Sequence, residues 1–174
     1  MKKNVFYLIA LVCAMCLFVS CGNDDENNDD KKIDPFGTYS GDLSVVLNLG
    51  GTAQDPVKST EKVQLVKGNA DNKFSFVLKN FIFGTMNVGN IIIDDIELVP
   101  AGDNRFTFSK TVTDFEIPAG DKEGVTDWMG PIIGKINLKL KDGVVEGNKV
   151  TVKLDIPVTY PASMDVSVSF TGTK

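Results

Sequence analysis

The chain has 174 residues, 24% charged and 43% hydrophobic, with a formal net charge of -5, three Cys and no His. That length fits one domain. Lack of His removes the most usual general base and metal ligand near neutral pH, and an acidic balance without a basic stripe argues against nucleic-acid binding.

Lys2 and Lys3 precede an uncharged, mostly apolar run from Val5 to Ser20 that ends at Cys21. A charged head, an apolar middle and a small residue before the cut predict a signal peptide over residues 1–20. As a helix, this run would rise about 24 Å, short of the roughly 30 Å hydrocarbon core of a bilayer. Phe18-Val19-Ser20-Cys21 resembles the lipobox of bacterial lipoproteins, with Phe18 standing where that family prefers Leu. The resemblance implies cleavage before Cys21, a thioether-linked diacylglycerol on its sulfur and an acyl group on its new amine. Several acyl chains at ~0.8 kcal/mol per buried methylene make such attachment durable. Ordinary cleavage leaving Cys21 as a free thiol is the alternative. Cys13 and Cys16 depart with the signal peptide, so the lipidated protein has no disulfide, thiol nucleophile or sulfur metal site. Loss of Lys2 and Lys3 leaves 16 basic against 23 acidic side chains, a net charge of -7.

Residues 21–34 follow as the lipidated Cys21 and an acidic tether, GNDDENNDDKKID after the cysteine, with six acidic residues and two lysines. Such a run cannot bury enough surface to offset its ordering entropy and reads as a flexible spacer. Asp24-Asp25-Glu26 also looks like the acidic export signal by which some Gram-negative groups carry lipoproteins to the outer face of the outer membrane. The expected location is therefore the outer membrane, lipid-anchored and facing the cell exterior. No EF-hand frame is present.

Residues 35–174 carry 14 basic and 17 acidic side chains, and period-two patterns dominate them. Strands are predicted at Gly37–Leu49, Glu61–Lys67, Lys73–Phe83, Asn90–Val99, Arg105–Ser109, Ile136–Lys141, Val150–Ile156 and Val166–Thr171. Phe74, Phe76 and Leu78 share one parity while Phe81 and Phe83 have the other, so a bulge near Lys79-Asn80 is expected. Ile91-Ile92-Ile93 before Asp94-Asp95 implies a strand with both faces covered, or a second bulge. Hairpin turns are expected at Gly50-Gly51, Gly68-Asn69, Gly102-Asp103, Asp142-Gly143 and Gly147-Asn148, one of the last two being a bulge within a longer strand. No stretch after Cys21 carries a helical period. The fold class is all-β, an antiparallel meander of about eight strands forming a barrel, with a β-sandwich as the alternative. Closure would remove exposed strand edges, which favours the barrel.

Gly37-Thr38-Tyr39-Ser40-Gly41-Asp42-Leu43, Phe76-Val77-Leu78-Lys79-Asn80-Phe81, Val88-Gly89-Asn90-Ile91 and Trp128-Met129-Gly130-Pro131 together resemble the calycin-like (lipocalin-like) domain of secreted bacterial lipoproteins. The resemblance implies a lipocalin-like barrel and no established activity. Tyr39 stands where the lipocalin signature has Trp, so ligand positions do not carry over.

Catalytic sets are scarce. Asp94-Asp95 are strand neighbours, expected on opposite faces; Asp114 and Glu116 share a parity, about 7 Å apart, within the range of an inverting carboxylate pair. No phosphate loop or nucleophile elbow occurs, and no enzyme activity is expected. No cofactor or metal is expected either. Trp128 and Met129, in the Gly-rich stretch between Pro118 and Pro131, are the candidate ligand-binding residues, although a Trp plugging a barrel end as core is the plainer reading. The expected function is a lipid-anchored binding module for a small apolar or glycan-like ligand at the barrel mouth. A structural lipoprotein that docks an envelope protein, using an outward member of the Ile91–Ile93 run, is the alternative.

Overall fold

The computed structural model describes residues 33–158 and 164–174; the expected signal peptide, Cys21 and most of the expected tether lie outside the described residues. Eight long strands and two two-residue ones form a single antiparallel sheet. They are β1 (Gly37–Leu49), β2 (Thr52–Ala53), β3 (Val57–Lys67), β4 (Lys73–Phe83), β5 (Met86–Glu97), β6 (Val99–Pro100), β7 (Arg105–Phe115), β8 (Ile136–Glu146), β9 (Lys149–Val158) and β10 (Met164–Thr173). One helical turn, α1 (Gly130–Ile133), begins beside Pro131. A single turn is too short to leave a periodic signal.

The sheet order is β5-β4-β3-β1-β10-β9-β8-β7-β6, with β2 paired to β1. Chain neighbours pair as in a meander, and the terminal strands β1 and β10 join its two halves through a ladder from Ser40↔Thr173 to Leu49↔Met164. The sheet curls into a barrel but is not closed by backbone pairing, because β5 and β7 form no ladder with each other. Lys110 of β7 bridges this seam instead. Its Nζ donates to the carbonyls of Asp94 and Asp95, at 2.9 and 3.0 Å. Lys110 has the parity of the inward-facing Phe106, Phe108 and Val112, and a charge at such a position guards a strand edge against pairing with other chains.

Alternation along the strands places the apolar face inside, and bulges keep it there. In β8, Ile136, Leu138 and Leu140 are buried on one parity, and Gly143 and Val145 on the other. The register slips between Lys141 and Val144, where Asp142 has φ 52°. Asp142-Gly143 is thus the bulge, and Gly147-Asn148 the turn. The expected bulge in β4 is present as a slip between Leu78 and Phe81, with Asn80 at φ 53°. β5 bulges at Asp95, so that Ile91, Ile93 and Ile96 all face inward and Ile92 is half-buried outside. β7 does the same at Asp114. Every one of these positions holds Asn or Asp, whose short polar side chains tolerate left-handed backbone best among non-glycine residues.

One end of the barrel is packed solid. Leu65, Phe74, Ile96, Val145 and Val150 are almost fully buried there, and the Phe74 and Phe108 rings meet edge to face at 5.1 Å. Tyr39 completes this floor. It is fully buried, and its hydroxyl donates to Pro35 O at 2.8 Å. Burial, with a smaller push from Asp34, raises its pKa to about 12. The chain joins the barrel at this floor: Ile33 N donates to Asn104 Oδ1 at 3.3 Å, and the Lys174 ammonium bonds to Asp34 O.

Candidate functional site: an apolar cavity

The opposite end is hollow. A cavity of about 330 Å³ opens where β1, β4 and β9 finish and β5, β8 and β10 begin. Twenty-one of the described residues line it, and every one is Leu, Val, Ile, Phe or Met. Leu43, Phe76, Leu154, Val168 and Phe170 lie deepest, each 6% exposed or less. Leu47, Phe83, Met86, Met129, Val158 and Met164 are more exposed and form the lip. Leu49, Val57 and Ile132 stand exposed on nearby segments at this end, Ile132 most of all.

Sheet supplies most of the wall. The remainder comes from residues 116–135, which cross from β7 to β8 and lie along β5. Ile117, Met129 and Ile133 of this strap line the cavity. Backbone bonds tie it down: Asn90 N donates to Pro118 O at 3.0 Å and Met129 N to Asn87 O at 2.7 Å. The bulge residue Asn80 adds a side-chain clamp. Its Oδ1 accepts from the amides of Asp121 and Lys122 at 2.7 and 3.0 Å, and its Nδ2 donates to the Asp121 carboxylate at 2.7 Å. That donation and the nearby Lys79 hold the Asp121 carboxyl below its ordinary value. Asn90, the one buried side-chain amide among the described residues, accepts from Asn80 N at 2.8 Å and donates to Ala119 O at 3.1 Å.

Close approach here requires glycine. A Cβ on Gly120 would lie 2.3 Å from the Trp128 ring and 2.5 Å from Asn80 Oδ1. Gly89 has φ 130°, and a Cβ there would meet Pro118 O at 2.2 Å.

Of the two candidate ligand residues, Met129 lines the cavity and Trp128 does not. Trp128 is 7% exposed, its ring covers Gly120, and its Nε1 donates to Val125 O at 3.2 Å. It packs the strap down rather than contributing to the lumen. Cys21 lies outside the described residues. Asp94 and Asp95 are both exposed at the β5 bulge, where opposite faces had been expected, and Ser75 Oγ donates to Asp94 at 2.6 Å. The bulge at Asp114 breaks the parity expected between Asp114 and Glu116, and Glu116 instead pairs with Lys135 at 3.9 Å. Neither carboxylate set borders the cavity. No described His, Cys, Asp or Glu residues form a group of three able to hold a metal. Ile117 and Ile133 were not foreseen, because neither belongs to a periodic segment.

The model of the calycin-like beta-barrel domain matches residues 36–173. The chain belongs to the calycin-like β-barrel domain family. Among solved structures, its calycin-like fold is similar to the crystal structure, at 2.40 Å, of a "putative outer membrane protein" from Bacteroides fragilis. That likeness has a TM-score of 0.52 at 17% identity and covers 83% of this chain and 52% of the other, so the chain spans about half the length of that protein. At this identity the likeness is one of fold. No curated protein matches.

Proposed function

We propose that this protein is a lipid-anchored, non-enzymatic binding module that takes a small apolar ligand in the open end of its barrel. The observation that carries the reading is the cavity of about 330 Å³ whose wall, among the described residues, is made only of hydrocarbon and thioether side chains. Protein interiors are close-packed, and an unfilled void costs on the order of 24 cal/mol per Å³. A chain that fills its floor with Phe and Leu could have filled this end too. An apolar pocket of this size falls within the range of small-molecule sites, and an engineered one about half as large stays dry and binds benzene.

The lining also separates the two ligand classes suggested by the sequence. A glycan would bring several hydroxyls past side chains that can neither donate nor accept well, at roughly 1–3 kcal/mol for each one left unpaired. An apolar molecule, or the apolar end of an amphiphile, loses nothing there. Anchoring through Cys21 in the outer membrane, facing the exterior, completes the proposal on the strength of the lipobox-like Phe18–Cys21 and the acidic Asp24-Asp25-Glu26. A second reading, docking of an envelope protein, draws on the exposed Leu49, Val57 and Ile132 near the lip.

Native mass spectrometry of the full chain, followed by organic extraction, tests ligand carriage. Recovery of a stoichiometric apolar compound is expected. Absence of any such compound, together with no binding of the fluorophore N-phenyl-1-naphthylamine, would overturn it. Intact mass of the wild type and of Cys21→Ser tests the anchor, since only the wild type should carry acyl chains.

A further inference from the structure

The described residues contain three methionines, Met86, Met129 and Met164, and all three line this one cavity. They come from three separate segments: the start of β5, the residue before α1 and the start of β10. The deep wall is different, made of branched aliphatic side chains and Phe. The methionine lip is also reachable from solvent, Met86 being 40% exposed and the other two half-buried. Residues 33–174 contain no cysteine, so these thioethers are the only sulfur atoms among the described residues.

We infer that Met86, Met129 and Met164 form an oxidation site, through which a hydroperoxide shuts the cavity to apolar ligands. The inference rests on the cavity reading above. In the step, a lone pair of the methionine sulfur attacks one peroxide oxygen. An S–O bond forms, the O–O bond breaks, and the hydroperoxide proton moves to the departing oxygen. Sulfur loses two electrons and becomes a sulfoxide, while the hydroperoxide gains them and becomes an alcohol, or water when the oxidant is hydrogen peroxide. A flexible apolar side chain thereby becomes a polar one, and reductases specific for each sulfoxide epimer reverse the change. Three S=O dipoles would then stand at a lip whose described lining side chains include no N–H or O–H donor. A ligand crossing it would strip water from those dipoles and return nothing. The buried floor lies beyond the lip, so the fold itself is spared.

The test uses the full chain and N-phenyl-1-naphthylamine as probe. Hydrogen peroxide is applied, then removed with catalase, and peptide mapping locates the added oxygen. Sulfoxides at positions 86, 129 and 164 are expected, with probe affinity at least tenfold weaker and a melting temperature nearly unchanged. Repair by methionine sulfoxide reductases should restore the affinity. Whatever affinity the M86L/M129L/M164L variant has for the probe, peroxide should leave that value unchanged. Unchanged affinity in the fully oxidised wild type overturns the inference, as does resistance of all three methionines to oxidation. An equal loss in the leucine variant also overturns it, and the reductase arm gives the answer if that variant does not fold. Should the untreated chain bind no probe, the cavity reading itself has failed, an outcome visible before any oxidation.

Discussion

Replacing Val168 with Phe asks whether the hollow end of the barrel is a real void in solution. Val168 is 6% exposed, faces the lumen from β10, and stands in register with Val45 of β1 and Leu154 of β9, both of which also line the cavity. In a close-packed core, adding four carbon atoms forces strain and costs about 1–3 kcal/mol. Here the added ring projects into empty space. Its extra volume, on the order of 60 Å³, would remove up to about 1.4 kcal/mol of void penalty at roughly 24 cal/mol per Å³. With imperfect fit, a gain of about 1 kcal/mol is expected, raising the melting temperature by about 2–4 °C for a domain of this size. Binding should move the other way, because the ring occupies close to a fifth of the cavity. Urea denaturation and N-phenyl-1-naphthylamine titration on the same sample read both. A Val168→Phe variant that loses more than about 1 kcal/mol would show that the end of the barrel is collapsed in solution. A variant that gains stability and still binds the probe as well as wild type would show that the probe sits elsewhere.

Three further expectations follow from the strap and the floor. Asn80→Ala should cost about 2 kcal/mol by denaturation, from the left-handed backbone at Asn80 and the lost bonds to Asp121 and Lys122; Asn80→Gly should recover about 1 kcal/mol of it. Gly120→Ala should destabilise by about 1–3 kcal/mol and shift the fluorescence of the single Trp to the red, since the new methyl displaces the Trp128 ring. The Tyr39 hydroxyl, pushed up to about 12 by burial and by Asp34, should show that value by ultraviolet titration. Its folded pKa lies above the unfolded one, so its share of stability is whole below pH 10 and fades as pH rises from 10 through 12. The stability difference between wild type and Tyr39→Phe should shrink across that window.

Strands β1 and β4 match their predicted bounds residue for residue, because Gly or a turn flanks a clean alternation at each end. The bulges at Asn80 and Asp142 were legible from a parity change around a residue tolerant of positive φ. A bulge in β5 was one of the two readings of Ile91-Ile92-Ile93, whereas the one at Asp114 went unseen because Asp114 and Glu116 read as sharing one face of an unbroken strand. β3 begins at Val57, four residues before its expected start, because Val57-Lys58-Ser59-Thr60 is too polar to announce itself and is held by pairing with Val45 and its neighbours. β7 runs on to Phe115, past the expected end at Ser109, because Lys110 interrupts the apolar face in order to bridge the seam. Most of the strap was unreadable as a wall. Met129 was among the expected ligand residues, but Ile117 and Ile133 reach the lumen through contacts with β5 that no local pattern encodes. Whether the barrel was hollow was equally hidden, since the same Phe and Leu residues suit a packed interior or a lined one.

The chain's arrival at the floor determines how the domain bears load. Tension between Ile33 and the lip end would run along β1, which starts four residues after Ile33. That strand is flanked on both sides, by ten register pairs with β10 and nine with β3. A pull along it loads both ladders in shear, so the pairs must slip together and cannot peel apart one at a time. Under such tension the two ladders would hold β1 in place until they shear together.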